Sequence, residues 1–120
     1  MLVVDKQKYN MSIFEAKKEL HVQVLGFLTE DVVEEYMVDF QDTINKVPKK
    51  DYRFVVDATY QSPVPAKIAG ELGQTMLFYG SLGFKEVIVI KPKSKIAQVQ
   101  IRNALELVDF PGTFVDSGTY

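Results

Sequence analysis

The sequence predicts an α/β fold on a mixed five-stranded sheet, in the order β-β-α-β-α-β-α-β. Three observations predict it. The hydrophobic pattern alternates between a two-residue and a 3.6-residue period along the chain. Short apolar runs at 52–58 and 85–91 show little alternation, as strands do when both faces are covered. Plausible cap and stop residues bound the helical stretches between those runs.

The elements follow in order. "NMSIFEAKKELHVQVLGFL" alternates and breaks at Lys17–Lys18–Glu19, which reads as a β-hairpin with strands near 10–16 and 20–28. The residues before it extend the first strand or form a loose tail. "TEDVVEEYMVDFQDTINKV" changes period, placing Val33, Tyr36, Met37, Phe40, Ile44 and Val47 on one helical face. Thr29 can cap this helix, and Glu30 and Asp31 suit its positive end. "YRFVVDA" (52–58) is a strand, and a second helix is expected over 63–81, stopped by Gly83. "KEVIVIK" (85–91) is another strand. Ser94 can cap a third helix, with Ala97, Ile101, Ala104, Leu105 and Val108 inward. "FPG" (110–112) breaks it before a last strand, "TFVDS" (113–117). A hairpin followed by three right-handed crossovers makes one antiparallel strand and four parallel ones.

A length of 120 residues suits one domain, which at this size buries roughly two-thirds of its unfolded surface. The absence of cysteine excludes disulfides, thiolate metal sites and a cysteine nucleophile. A net charge of −2 argues against a broad nucleic-acid surface. No apolar run approaches the ~18 residues of a membrane span, and "MLVVDKQKYN" lacks a signal-peptide core. A cytoplasmic protein is expected.

In open α/β sheets ligands favour the carboxyl ends of parallel strands. That edge should collect Thr29, the Asp57–Ser62 loop, Lys91–Ser94 and Asp116–Tyr120. Asp57 ends its strand as catalytic aspartates do, but accepting amide hydrogen bonds in the turn accounts for it more simply. Thr59 could accept phosphate, but reads more simply as a strand-end hydroxyl. Ser62 before Pro63 is the pattern of an N-cap and first helical residue. Lys67 can help hold an anion in the following turn, although the loop has no glycine to wrap a phosphate. His21, the only histidine, starts a hairpin strand away from this edge and reads as a half-exposed strand residue. No nucleophile system or metal spacing is visible, so no enzyme activity, metal or cofactor is expected.

"LVVDK", "FVVDAT" and "VIVIKP" invite comparison with a receiver domain of two-component signalling. Geometry rejects it. Asp57 and Lys91 are 34 residues apart, room for one crossover rather than two, and Asp5 is followed by Lys6 instead of a second acid.

The strand–strand–helix start, "FVVDATY" and "SLGFKEVIVIKPKSKI" resemble the STAS domain, the fold of anti-sigma-factor antagonists and sulfate-transporter tails. The resemblance covers about residues 10–117. It implies a regulatory protein-binding module whose second helix and preceding loop face the partner, a regulatory protein of kinase or anti-sigma type. The family's switch is a Ser or Thr in an Asp–Ser–Ser–Gly-like motif. Counting on from Asp57, that motif falls near Val64–Lys67, where this chain reads "VPAK". The phosphorylation switch is therefore not carried over. On the second helix, taking Ala69, Leu72 and Met76 as the inner face, Phe78 falls about 180° from Ala69, beside Lys67, Glu71 and Gln74. Phe78 is expected to be exposed and to contact the partner. Asp57, Thr59, Ser62, Lys67, Glu71, Gln74 and Phe78 are the expected partner-binding residues.

Residues 29–45 carry six acids and no base; residues 85–102 carry five bases and one acid. Two solvated helix faces account for this, and so does complementary docking to a partner or to a second copy in a homodimer. A different class stays open: a small-molecule or lipid-binding domain with a pocket near helices 1 and 2. A filled core favours the protein-binding module, and an apolar pocket of a few hundred cubic ångströms the ligand binder. A hydrolase using Asp57 would need a base or metal that the sequence does not supply.

Overall fold

The protein is described by a computed structural model over residues 1–26 and 29–116. The predicted strand end at 27–28, Ser117 of the last strand and the rest of the 118–120 edge lie outside these residues.

The sheet has six strands rather than five. The added strand, β1 (Leu2–Asp5), pairs antiparallel with β2 (Tyr9–Phe14). A register shift between Leu2 and Val4 breaks its alternation, which hides it in the sequence. β2 and β3 (Glu19–Val24) form the expected hairpin, tighter than predicted. Lys18 makes its turn at φ 54°, and the Lys18 amide donates to the Glu15 carbonyl at 3.2 Å.

α1 (Glu30–Ile44) starts where the sequence placed it, the Val32 amide donating to the Thr29 hydroxyl oxygen. Tyr36, Phe40 and Ile44 are buried, as the helical period required. A short 3₁₀ turn (Lys49–Asp51) leads into β4 (Arg53–Asp57). α2 spans Ala66–Ser81, so it begins three residues later than expected. Ser62 is not its cap; Pro65 occupies that place with no side-chain bond. Gly83 then turns the chain at φ +90° into β5 (Glu86–Ile90). α3 (Lys95–Leu107) is capped by Ser94, whose hydroxyl accepts from the Ala97 amide at 3.2 Å. β6 (Thr113–Val115) closes the order β1-β2-β3-β4-β5-β6.

β3 to β6 are parallel and lie side by side in chain order. Successive crossovers of one hand that never reverse direction place every helix on the same face of the sheet. The packing agrees. Leu20, Val22, Phe54, Val56, Val87 and Val89 share one core with residues of all three helices. The opposite residues, Val55, Ile88 and Ile90, form a separate cluster joined by Val115. The apolar runs of β4 and β5 are buried on both faces as expected, although all three helices pack on one of them. On the helix-free face, Val55 sits in register between His21 and Ile88 and is fully buried by its surroundings.

Candidate functional site

The carboxyl edge of the parallel strands carries the loop from Asp57 to Pro65, and this loop is held at several points. Oδ1 of Asp57 accepts the Thr59 amide at 3.0 Å and the Thr59 hydroxyl. Oδ2 accepts from Nε2 of Gln23 at 3.2 Å. Asp57 is therefore the Asx-turn acceptor that the simpler reading required, and it shares the helix-free face with its cross-strand neighbour Gln23. Thr59 is fixed further by its carbonyl, which accepts the Lys93 amide at 3.0 Å.

Gly26 joins β3 to the same loop. Its amide donates to the Tyr60 carbonyl at 2.9 Å, and its carbonyl accepts the Ser62 amide at 3.0 Å. The result is a parallel bridge between Gly26 and Gln61, which buries Gln61. This bridge holds Ser62 in extended pairing and explains why it cannot cap α2. Further on, Gln100 of α3 clamps the backbone of Val64 from both sides. Its Oε1 accepts the Val64 amide at 3.0 Å and its Nε2 donates to the Val64 carbonyl at 3.1 Å. Tyr60 projects from this pinned loop and is exposed, with the Lys93 ammonium 5.1 Å from its ring centre. Gln61 and Gln100 carried no sequence signal; their partners are 35 and 36 positions away.

The α2 candidates separate. Lys67 is exposed and its Nζ lies 2.7 Å from Oε1 of Glu30 on α1. That hydrogen bond and charge raise its pKa. An anion-holding role is not favoured for a cation already matched in this way. Glu71 and Gln74 are exposed. Phe78 is not: it is half-buried, packs against the core and meets the Phe40 ring at 6.2 Å edge to face. The expectation of an exposed Phe78 is overturned. The buried residues of α2 are Ile68, Leu72, Gly73, Met76 and Tyr79; Phe78 lies well off the centre of that face, and its packing against Phe40 of α1 accounts for its burial. Leu77 is the exposed apolar residue here, at 49%.

His21 is half-buried on the helix-free face, as expected of a strand residue. It belongs to a polar group that the sequence did not reveal. Its Nε2 is 3.0 Å from Oε1 of Glu19, which is buried, and Arg53 bridges Glu19 at 3.3 Å and Glu86 at 3.2 Å. Among the described residues no group of three His, Cys, Asp or Glu side chains is arranged to hold a metal ion.

Between α1 and α2 lies an apolar cavity of about 80 Å³, lined by residues including Val33, Met37, Ile68, Leu72 and Glu71. Tyr36 and Tyr79 also line it, with their hydroxyls 2.6 Å apart. Burial pushes the Tyr79 pKa up to about 12 and raises that of Tyr36 well above its usual value.

No family model matches the chain, and no curated protein does. A solved structure is similar to it: an uncharacterized protein from the DUF3478 family with a SpoIIAA-like fold, from Shewanella loihica PV-4. The identity is 17%, the TM-score is 0.62, and the match covers 95% of this chain and 89% of that chain. The fold is thus SpoIIAA-like, and the STAS-like architecture read from the element order is borne out. No described helix is long and apolar enough to cross a membrane.

Proposed function

We propose that this chain is a non-enzymatic, cytoplasmic regulatory module of the STAS type, which binds another protein through the 57–67 loop and α2 without a phosphorylation switch. One observation carries the reading: the loop is preformed. Gly26, Gln100 and Lys93 each fix part of its backbone, leaving Tyr60 exposed on a rigid support. A rigid aromatic anchor binds at low ordering cost. The switch is omitted because "VPAK" offers no hydroxyl at the position that the fold's phosphoacceptor would take.

The cavity between α1 and α2 gives a specific reason to weigh small-molecule or lipid binding. At about 80 Å³ it is well below the roughly 300–1,000 Å³ of sites that enclose a whole ligand. Its size favours the protein-binding reading.

A photoreactive phenylalanine analogue at position 60, irradiated in the native host, tests the proposal. A discrete protein adduct that a similar probe at Val38 does not give is expected. Absence of any adduct, together with a small molecule retained in native mass spectra, would reverse the ranking.

A further inference from the structure

The cavity between α1 and α2 has a size and a charge that together describe what fits it. Its volume of about 80 Å³ lies well below the roughly 300–1,000 Å³ of sites that enclose a whole small molecule. That space suits the end of one aliphatic side chain rather than a free molecule. Its walls are apolar, with Val33 and Met37 from α1 facing Ile68 and Leu72 from α2.

The mouth is different. A second cleft of about 190 Å³ shares Val33, Ile68 and Glu71 with the cavity and adds Glu30, Glu34 and Lys67. Three carboxylates thus face one ammonium, and that ammonium is matched by Glu30. A ligand with a carboxylate beside its aliphatic part would meet Glu34 and Glu71 at this mouth. One with a cation there would be attracted.

We propose that the groove between α1 and α2 is an anchor pocket for one aliphatic side chain of a partner protein, presented on a segment with lysine or arginine beside it. This rests on the protein-binding reading and adds the chemistry of the partner. An aliphatic side chain seated in a pocket can anchor a small interface, and the charge around the pocket selects its orientation.

Methyl-resolved NMR titrations with capped hexapeptides provide the test. One peptide carries a single leucine among lysines, one a serine in its place, and one a leucine among glutamates. The leucine–lysine peptide is expected to shift the methyl signals of Val33, Ile68 and Leu72, at least tenfold more tightly than the other two. The paired change Glu34→Lys and Glu71→Lys, both on exposed positions, should reverse the preference toward the glutamate peptide. Thr75→Leu, which adds bulk at the groove wall, should weaken both leucine peptides.

Equal binding of all three peptides, or none at these methyls, would overturn the proposal. So would binding of 3-methylbutylamine without the leucine–lysine peptide, which would assign the groove to a free amine. Groove shifts that depend on protein concentration alone would overturn it too, by assigning the groove to a second copy. A protein adduct at position 60 with a silent groove would leave the module reading standing and remove only this pocket.

Discussion

The hydroxyl groups of Tyr36 on α1 and Tyr79 on α2 lie 2.6 Å apart, fully buried, beside the groove between the two helices. They tie together two helices that otherwise leave a gap. Removing one hydroxyl strands the other in an apolar setting, so Tyr36→Phe or Tyr79→Phe should each cost about 1–3 kcal/mol. The double change removes both polar groups and keeps both rings. It should cost less than the sum of the two, by denaturant titration of all four proteins. The same pair gives a pH dependence. Both pKa values are raised in the folded state, Tyr79 to about 12. An unfolded tyrosine ionises near pH 10. The stabilisation is therefore complete below pH 10 and is lost as pH rises toward 12. The double phenylalanine protein should show a shallower fall in stability across that window.

Gln100 makes two hydrogen bonds to one backbone unit, at Val64. Gln100→Ala would leave both the amide and the carbonyl of a buried residue without these partners. The expected cost is about 1–3 kcal/mol. Hydrogen exchange locates the effect: the Val64 amide should lose protection, while that of Val89 in the central sheet should change only by the global loss. Equal protection at Val64 in both proteins would show that the clamp does not hold the loop.

What the sequence made legible was whatever depends on near neighbours. The face of α1, the Thr29 and Ser94 caps and the stop at Gly83 are all local features, and all are found. Asp57 as a turn acceptor is also local, since Thr59 is two residues away. What it hid depends on pairing between distant segments. Ser62 followed by Pro63 carries a good cap signal, but the bridge between Gly26 and Gln61 holds it in extended backbone. The groove has the same origin, because Glu30 meets Lys67 across 37 positions. The apolar character of Val55 and Ile88 marks them as buried, as they are, but not that their cluster with Ile90 lies on the face without helices.

Phe78 is the sharpest such case. The period of α2 turns it outward with Leu77, but the Phe40 ring of α1, 38 positions earlier, lies within 6.2 Å of it and draws it into the edge of the core. Phe78→Ala should cost about 1–3 kcal/mol through lost burial. Leu77→Ser, one residue along and largely exposed, should stay within about 0.5 kcal/mol. Thermal unfolding of the two variants decides whether Phe78 packs on the core, and the opposite order of stabilities would return it to the surface.

Two glycines should respond in opposite directions to the same change. Gly70 lies inside α2, is exposed, and a methyl group there would meet nothing within 4 Å. Alanine at this position gains helix propensity and restricts the unfolded chain, so Gly70→Ala should stabilise the protein by about 0.5–1 kcal/mol. Gly112 lies between α3 and β6, where the chain passes close to β5. A methyl group there would come to 2.3 Å from the Val87 carbonyl oxygen and 2.5 Å from the Phe110 ring. The carbonyl belongs to the sheet backbone and cannot turn aside. Gly112→Ala should therefore destabilise by more than about 2 kcal/mol and loosen the pairing of β6 with β5, seen as faster amide exchange at Phe114 and Val115. A neutral Gly112→Ala would mean that the turn leading into β6 leaves room for a methyl group beside the Val87 carbonyl.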